Sequence, residues 1–302
     1  MIIDTVALTK GLKVVFNKAL STIPINQGLM TLATRVPSNS NSETYGWFGD
    51  VPMMREWLGA KQMKSLKDNT YTLANKDWEA SLEVDRNELE DDQYGMIPPR
   101  VQMLAQAAME KYAIELSDLI INGDSNTAYD SVAFFSNTSG VRVIDNLLGG
   151  TGTSLTQIET DIASARSAMM QFYFDESDRK YGFKLDTIVC PPQLEVKFMK
   201  ILDSTTAVSS SAAGVVNPFK NMLSQVIVDP RLGGDDANDW YGFATAYPIK
   251  PLILQDRKKI EFKSLVEGSD LAFSWKKYQY SAESRFNVGY SFPHLAVKMV
   301  NG

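Results

Sequence analysis

Few residues in this sequence are suited to catalysis, because it holds a single cysteine and a single histidine. Cys190 ends an apolar stretch just before two prolines, and a thiol in such a setting is typical of a buried structural residue rather than of a nucleophile. His294, near the C-terminal end, is likewise expected to be structural. One cysteine excludes a disulfide within the chain, and zinc sites or a Ser-His-Asp triad have too few residues to draw on. The sequence therefore argues against a hydrolase.

The densest group of potential metal ligands is a run of carboxylates formed by Glu88, Glu90, Asp91 and Asp92. Hard cations bind several carboxylates, but the alternating ligands and the glycine of a calcium loop are missing here. Consecutive acidic residues more often form a solvated face or the first turn of a helix, so no metal site is expected. A glycine-rich segment at 149–154 precedes a predicted helix but lacks the Lys-Ser/Thr ending of a phosphate-binding loop. No cofactor is therefore expected.

Composition places the chain among ordinary globular proteins. Its 302 residues are 44% hydrophobic and 22% charged, which allows one large domain or two with a sizeable core. The net charge of −6 argues against general affinity for nucleic acid without excluding a local basic patch. Lys10, Lys13 and Lys18 interrupt the first apolar stretch, so no secretion signal is predicted and synthesis in a reducing, intracellular site fits. No apolar window is long enough to predict a transmembrane helix.

Helical periodicity is strongest over residues 98–121, where apolar side chains recur at i, i+3, i+4 and i+7. Two prolines open this segment, and Asn122-Gly123 predicts a left-handed cap at its end. The helix would form a rod about 36 Å long, a length common in elongated subunits of protein lattices. Shorter helices are predicted over 5–20, 155–172 and 191–202, and Thr153 or Ser154 is expected to cap the second of these.

Alternating apolar residues predict strands in much of the remaining chain. The segment 45–90 contains two of them, but its aromatic residues have no obvious apolar core of their own, so it is interpreted as a long projecting hairpin or loop. Two polar segments predict a linker at 35–44 and a mobile loop at 203–216. The predicted strands span 70–73, 79–84, 185–190, 225–228, 240–243, 252–254, 261–265, 271–275 and 295–299.

Charge is distributed unevenly along the same part of the chain. Residues 55–67 carry a net charge of +3, whereas residues 76–92 carry −6. One interpretation is simple surface solubility. The other is electrostatic matching between one copy of the chain and the next, which would fix their register in an assembly.

Three sequence blocks, Tyr45–Gly59, Asn75–Glu79 and Val84–Gly95, occur in the order found in one family. They contain aromatic-Gly-x-x-Pro-x-x-Arg-Glu-Trp, then Asn-Lys-x-aromatic-Glu, then Arg-x-x-x-Glu-Asp-Asp-x-Tyr-Gly. In these blocks the chain resembles the major head (capsid) subunits of Mu-like tailed phages. It departs from the family pattern at Ser131, where a glycine is usual, and in the loop that follows.

The resemblance implies an α+β fold of the HK97-like capsid type, with residues 98–121 as the spine helix of a peripheral domain. The domain division that it implies places the N-terminal arm at 1–44, the extended loop at 45–82, the peripheral domain at 83–150 and 256–302, and the axial domain at 151–255.

The function implied by the resemblance is mechanical rather than enzymatic. Identical subunits would form hexamers and pentamers and close into an icosahedral head around double-stranded DNA, with which contact is non-specific. Portal and scaffold proteins are the other expected partners, and no membrane is involved. The protein would be part of the virion, assembled in the host bacterial cytoplasm. An encapsulin-like compartment shell is the alternative, and a hydrolase is disfavoured.

The expected contact residues between subunits are aromatic anchors and charged side chains in and after the extended loop. They are Tyr45, Trp47, Phe48, Arg55, Trp57, Lys61, Lys64, Lys67, Glu88, Glu90 and Asp91.

Overall fold

The computed structural model describes residues 5–22, 27–47, 69–90, 95–137, 142–173, 180–206, 216–266 and 269–301. Its helices are α1 Thr5–Thr22, α2 Gln27–Met30, α3 Arg86–Glu90, α4 Ile97–Ile121, α5 Leu155–Gln171, α6 Pro192–Asp203 and α7 Asp270–Trp275. Its strands are β1 Ala33–Pro37, β2 Ser42–Trp47, β3 Asn69–Ala74, β4 Lys76–Asp85, β5 Leu147–Gly149, β6 Thr187–Cys190, β7 Gln225–Val228, β8 Trp240–Phe243, β9 Leu252–Leu265, β10 Lys277–Tyr290 and β11 Ala296–Val300.

A four-stranded sheet, here called the long sheet, has the order β1-β9-β10-β4. Its two central strands are each 14 residues long and run antiparallel. Helices α1 and α4 pack against one another and against this sheet. Helix α1 buries an apolar stripe of Leu12, Phe16 and Ala19, and the Phe16 ring lies 5.1 Å from that of Phe262 in β9. Burial of this stripe, rather than helix propensity alone, stabilises α1.

A five-stranded sheet, here called the short-strand sheet, has the order β5-β11-β8-β6-β7. Residues of α5 and α6 share a buried apolar cluster with it, in which Phe198 of α6 meets Trp240 of β8 edge-on at 5.6 Å. Every residue of β6 is buried, as its continuous apolar run indicates for a strand covered on both faces. The C-terminal β11 lies between β5 and β8, so the chain returns at its end to complete this core.

The predicted helices are confirmed, and their sequence signals are visible in the structure. Ser154 caps α5 in a capping box, because its side chain accepts from the Gln157 N–H while the Gln157 side chain accepts from the Ser154 N–H. Prolines lie in the first turn of both α4 and α6, where a missing N–H costs nothing.

The left-handed cap predicted at 122–123 is wrong. Asn122 has a φ of −88°, and the chain continues into a 3-10 turn at Asn122–Asp124. Gly123 is required for a different reason, since a Cβ there would come within 2.6 Å of the Phe135 ring. Close packing, rather than a special backbone angle, explains the glycine.

Three strand and linker predictions also need correction. The expected strands 252–254 and 261–265 are parts of the single strand β9. Residues 271–275 are helical, because the Ser269 side chain accepts from the Ala272 N–H at 3.2 Å and starts α7. The expected linker 35–44 supplies the end of β1, which pairs with β9, and the start of β2.

The segment 45–90 combines a hairpin with a sheet strand. Strands β2 and β3 form the expected hairpin, with Ser42 opposite Ala74 and Trp47 opposite Asn69. The next strand, β4, does not project, because it pairs with β10 along its whole length. Of the loop predicted at 203–216, the structure describes 203–206 and 216, with a bridge between Thr206 and Val216. The rest of that prediction lies outside the described residues.

Candidate functional site

Tyr45, one of the expected contact residues, lies at the root of the β2–β3 hairpin and contacts its own chain. Its hydroxyl donates to Gln255 Oε1 at 2.8 Å, and burial raises the pKa of Tyr45 to about 12, with a smaller contribution from Glu43. The fully buried Gln255 amide in turn donates to Leu73 O and to Asn75 Oδ1. Tyr45 therefore fixes the hairpin to β9, whatever it contacts in an assembly.

The turn before the hairpin is held by one carboxylate. Glu43 Oε1 accepts from Ser38 Oγ at 2.9 Å, from the Asn39 N–H at 2.9 Å and from the Ser40 N–H at 3.1 Å. These bonds, of which that from Ser38 contributes most, lower the pKa of Glu43 to about 2. The direction in which the hairpin leaves the long sheet is thus set by residues 38–43.

Most of the other expected contact residues have side chains outside the described part of the chain. Trp47 ends β2, but its side chain is outside the described part of the chain, as is that of Glu90 at the end of α3. The residues that lie wholly outside the described ranges are Phe48, Arg55, Trp57, Lys61, Lys64, Lys67 and Asp91. Their role as contacts stays a prediction.

Several acidic side chains of the segment 76–92 have cationic partners in the same chain. Asp77 lies 3.2 Å from Arg285, and Glu83 accepts from Lys277, which lowers the pKa of Glu83. Glu88 lies 3.7 Å from Arg100, with both side chains about half exposed or more. Exposed pairs of this kind are weak and can be exchanged for pairs with a neighbour. Among the expected contact residues, Glu88 is therefore a carboxylate with an exposed side chain that an external partner could reach.

The structure buries both residues that could have carried catalysis. Burial raises the pKa of the Cys190 thiol to about 12, and the nearby Glu195 adds to this effect. Burial also lowers the pKa of His294 to about 3, assisted by the positive charge of Arg142. A thiol kept protonated and an imidazole kept neutral fit packing roles. In the described ranges, no three His, Cys, Asp or Glu side chains are grouped to hold a metal ion.

A buried charge cluster was not foreseen from the sequence. Lys298 of β11 is 4% exposed, and its Nζ lies 3.3 Å from Asp124, 3.2 Å from Asp236 and 3.6 Å from Asp239. Burial opposes its charge, but Tyr241, Asp236 and Asp124 outweigh that effect and raise the pKa of Lys298. Because Asp124 follows α4, the cluster ties the end of that helix to the short-strand sheet. The sequence signal that could have indicated this cluster is Lys298 itself, a lysine within the apolar strand β11.

A second feature that the sequence did not predict is an exposed apolar surface at the end of the long sheet where β9 stops and α7 follows. Phe273 and Trp275 of α7 are 93% and 69% exposed, and Leu265 at the end of β9 is 46% exposed. The alternation of Phe273 and Trp275 predicted a strand with one buried face, whereas the structure places both in solvent.

A family model described as the Mu-like prophage major head subunit gpT matches residues 5–158 and 230–301 of this chain. The chain belongs to the gpT family. The match omits most of α5 and all of β6, α6 and β7. Strands β6 and β7 form one edge of the short-strand sheet. None of the helices in the described ranges is long and apolar enough to cross a membrane.

Two relatives carry names consistent with the gpT family. The Mu-like prophage FluMu major head subunit of Haemophilus influenzae is 24% identical over 266 residues, covering 88% of this chain. The major capsid protein of Escherichia phage Mu is 31% identical over 104 residues, or 34% of either protein. This gpT-family chain spans 63% of the length of the Haemophilus relative.

Solved structures confirm the α+β, HK97-like capsid fold expected for the gpT family. The procapsid subunit of bacteriophage JBD30 has a TM-score of 0.58 and 24% identity, covering all of this chain and 77% of its own. A protein chain in a structure of Microbacterium phage Oxtober96 has a TM-score of 0.60 at 12% identity, covering 91% of this chain and 90% of its own. A virus-like particle from Pyrococcus furiosus has a TM-score of 0.58 at 12% identity, covering 96% and 98%.

Proposed function

We propose that this chain is a major capsid subunit that self-assembles into the icosahedral head of a Mu-like tailed phage. The observation that carries the proposal is its membership of the gpT family, joined to a fold shared along nearly the whole chain with the JBD30 procapsid subunit. The buried Cys190 and His294 favour a structural role over a hydrolytic one.

An encapsulin-like compartment is the weaker alternative. The particle from Pyrococcus furiosus shares the fold at 12% identity, but the fold alone does not distinguish a compartment from a phage head. Family membership favours the head, because it rests on residues spread over more than half of the chain.

The proposed partners are first of all other copies of the same chain, in hexamers and pentamers. A portal protein, a scaffold protein and packaged double-stranded DNA complete the set, and the site of action is the virion, after assembly in the bacterial cytoplasm. A net charge of −6 means that contact with DNA depends on local lysine and arginine side chains rather than on overall attraction.

For the subunit itself we propose the division into an arm at 1–44, a loop at 45–82, a peripheral domain at 83–150 and 256–302 and an axial domain at 151–255, with its borders adjusted to the sheets. Strand β4 and the whole of β9 belong to the long sheet, whereas β5 and β11 belong to the short-strand sheet. The hairpin root fixed by Tyr45 and Glu43 supports a loop that leaves the long sheet in a set direction. Arg55 and Trp57 are the proposed anchors of that loop on a neighbouring subunit, because aromatic and arginine side chains dominate the energetics of interfaces.

The test is assembly of the purified full chain, alone and with the proposed scaffold protein. Sedimentation velocity and negative-stain electron microscopy should show capsomers or closed shells. A chain that stays monomeric over a range of salt and protein concentrations, with scaffold present, would contradict the proposal. Shells that enclose nuclease-resistant DNA in producing cells would separate a phage head from a protein compartment.

A further inference from the structure

The outer face of α5 forms a groove, here called the α5 groove, that is lined mostly by serine, threonine and alanine. It has a volume of about 890 Å³, and Phe219 is the lining residue that comes from outside the helix. Small-molecule sites have volumes of this size. Apart from Thr156, every lining residue lies in the part of the chain that the gpT family model does not match. The groove is therefore a feature of this chain rather than of the family pattern.

One acidic side chain in the α5 groove lacks a partner. Glu159 is 6% exposed, and its Oε1 has no hydrogen-bond partner among the residues that the structure describes. The ion pairs found among those residues do not include Glu159. A buried carboxylate is costly to leave without a hydrogen bond or a counter-charge. Glu159 is thus suited to a cationic ligand that enters the groove.

The neighbouring polar groups of α5 are also hydrogen-bond acceptors. The Thr160 hydroxyl donates to Thr156 O at 2.9 Å, so its oxygen can only accept from a ligand. Gln171 Nε2 donates to Ser167 Oγ at 3.3 Å, and the Oε1 of the same amide can accept. A protonated primary amine has three N–H donors and no acceptor, so it matches these groups, whereas the Glu159 charge repels an anion.

Phe219 favours an organic cation over a metal ion. Hard metal ions bind several carboxylates, and within the described part of the chain no three His, Cys, Asp or Glu side chains are grouped. The face of an aromatic ring attracts an ammonium group, and the ring also packs against methylene groups. A turn holds Phe219 in place, because its N–H donates to Asn217 Oδ1 at 2.9 Å while the Asn217 amide donates to Ser204 O at 3.0 Å.

The course of the groove along α5 favours a linear ligand. Glu159 and Ser167 both line it and are separated by about 12 Å along the helix axis. An unbranched amine that places an ammonium group at Glu159 can extend past the small side chains of Ala163 and Ser164 toward Ser167. We propose that the α5 groove binds a free linear aliphatic polyamine, with Glu159 as the counter-charge of one ammonium group. The inference does not depend on the capsid function, because the groove belongs to a single subunit.

The decisive experiment measures binding of spermidine to the purified full chain at low salt by isothermal titration calorimetry. Glu159→Gln should weaken binding about tenfold or more, because the charge-assisted bond to the ammonium group is lost. Glu195→Gln on α6 is the matched control, since it removes the same charge from an exposed residue outside the groove and should bind like the wild type. A wild type that does not bind spermidine, an unchanged affinity of Glu159→Gln, or an equal loss in Glu195→Gln would each overturn the inference.

A second variant places the cation on the protein itself and keeps the test valid if Glu159→Gln folds poorly. Ala163 is exposed one turn after Glu159, so Ala163→Lys gives the carboxylate an ammonium partner at i+4. This variant should bind spermidine about tenfold more weakly, because the carboxylate is already paired, while its urea midpoint is at least that of the wild type. Undiminished binding by Ala163→Lys would contradict the inference.

Two further probes separate the free amine from other ligands. An uncharged aliphatic diol should not bind, and a diol that binds as tightly as spermidine would show that the groove does not recognise charge. Nα-acetyl-lysine amide carries the same ammonium group on a protein side chain and should bind more weakly than spermidine. Tighter binding of the lysine probe would assign the groove to a protein partner and overturn the inference.

Discussion

His294 gives the subunit a dependence on pH that can be read from a single residue. In the unfolded chain its pKa is about 6.5, whereas burial lowers it to about 3 in the folded chain. Below pH 6.5 the unfolded state binds a proton at His294 that the folded state does not bind, so acid favours unfolding. The stabilising contribution is fully present above pH 6.5 and is lost as the pH falls toward 3.

We expect the wild type to lose about 1.4 kcal/mol in free energy of unfolding per pH unit in this window relative to His294→Gln. Urea melts of both proteins between pH 7 and pH 4 measure the difference, because the carboxylates common to both cancel. His294 is the only histidine in the sequence, so no other imidazole confuses the comparison. Parallel pH profiles for the two proteins would show that the imidazole is protonated in the folded subunit.

Lys298 is a buried charged residue whose loss should lower the stability of the subunit strongly. Lys298→Ala leaves three aspartates facing one another without a cation, and breaking a buried pair of this kind typically costs about 3–5 kcal/mol. Lys258→Ala is the control, because Lys258 lies in a half-exposed ion pair with Glu261 and should cost under about 1 kcal/mol. Equal urea midpoints for the two variants would refute a stabilising role for the buried cluster.

For single residues, the sequence indicates which side chains are buried better than it indicates their hydrogen-bond and ion-pair partners. The packing roles of Cys190 and His294 follow from their apolar surroundings, but the link from Tyr45 to Gln255 joins residues 210 positions apart. The Lys298 cluster likewise collects aspartates from two distant places in the chain, Asp124 in one and Asp236 with Asp239 in the other. Pairings of this kind depend on tertiary structure, which local patterns do not encode.

Among the elements, segments with an uninterrupted apolar pattern are predicted well, including the short strands β7 and β8, which match their expected bounds. The spine helix α4 and the capped helix α5 are found within a residue or two of the expected bounds, because a start signal and a sustained apolar stripe agree in each. The sequence predicts two strands where the structure has β9, because charged residues at 257–259 interrupt its apolar pattern. It predicts a strand where the structure has α7, because six residues hold too few helical turns to show a period.

Gly123 tests the packing explanation for the end of α4. Gly123→Ala would place a Cβ within 2.6 Å of the Phe135 ring, and overpacking of this kind costs about 1–3 kcal/mol. Gly149→Ala is the matched control, since nothing lies within 4 Å of a Cβ at that position. Urea denaturation compares the two. Adding Phe135→Leu should recover part of the loss at Gly123, and a Gly123→Ala protein as stable as the wild type would contradict the explanation.

At the scale of the whole molecule, the family and the fold class follow from the sequence, because three motif blocks hold their order and spacing. The arrangement of the second core does not follow. Placing β11 between β5 and β8 brings the last residues of the chain beside Leu147–Gly149 and Trp240–Phe243, a parallel and an antiparallel pairing. Neither pairing has a signal within the strands themselves, because each is set by the packing of α5 and α6 around the same core.

We expect electrostatic matching between copies to make assembly of the whole particle sensitive to salt. The segment 55–67 carries +3 and the segment 76–92 carries −6, and Glu88 of α3 in the second segment has an exposed side chain. The screening length is about 8 Å at 0.15 M salt, so only close charge pairs contribute. Each exposed pair is worth under about 1 kcal/mol, but a shell repeats it many times.

Reversing Lys61, Lys64 and Lys67 to Glu should therefore slow or misdirect assembly at low salt, with a smaller effect at high salt. Light scattering gives the rate, and electron microscopy shows whether the products are closed. A second set of changes, Glu88, Glu90 and Asp91 to Lys, should partly restore assembly when combined with the first, because opposite charges would again face each other.

The matched control reverses Lys10, Lys13 and Lys18 on α1, which changes the net charge equally but lies outside both segments. Normal assembly of the first triple variant at low salt would exclude electrostatic matching. Equal defects in this variant and in the α1 control would instead assign the effect to net charge.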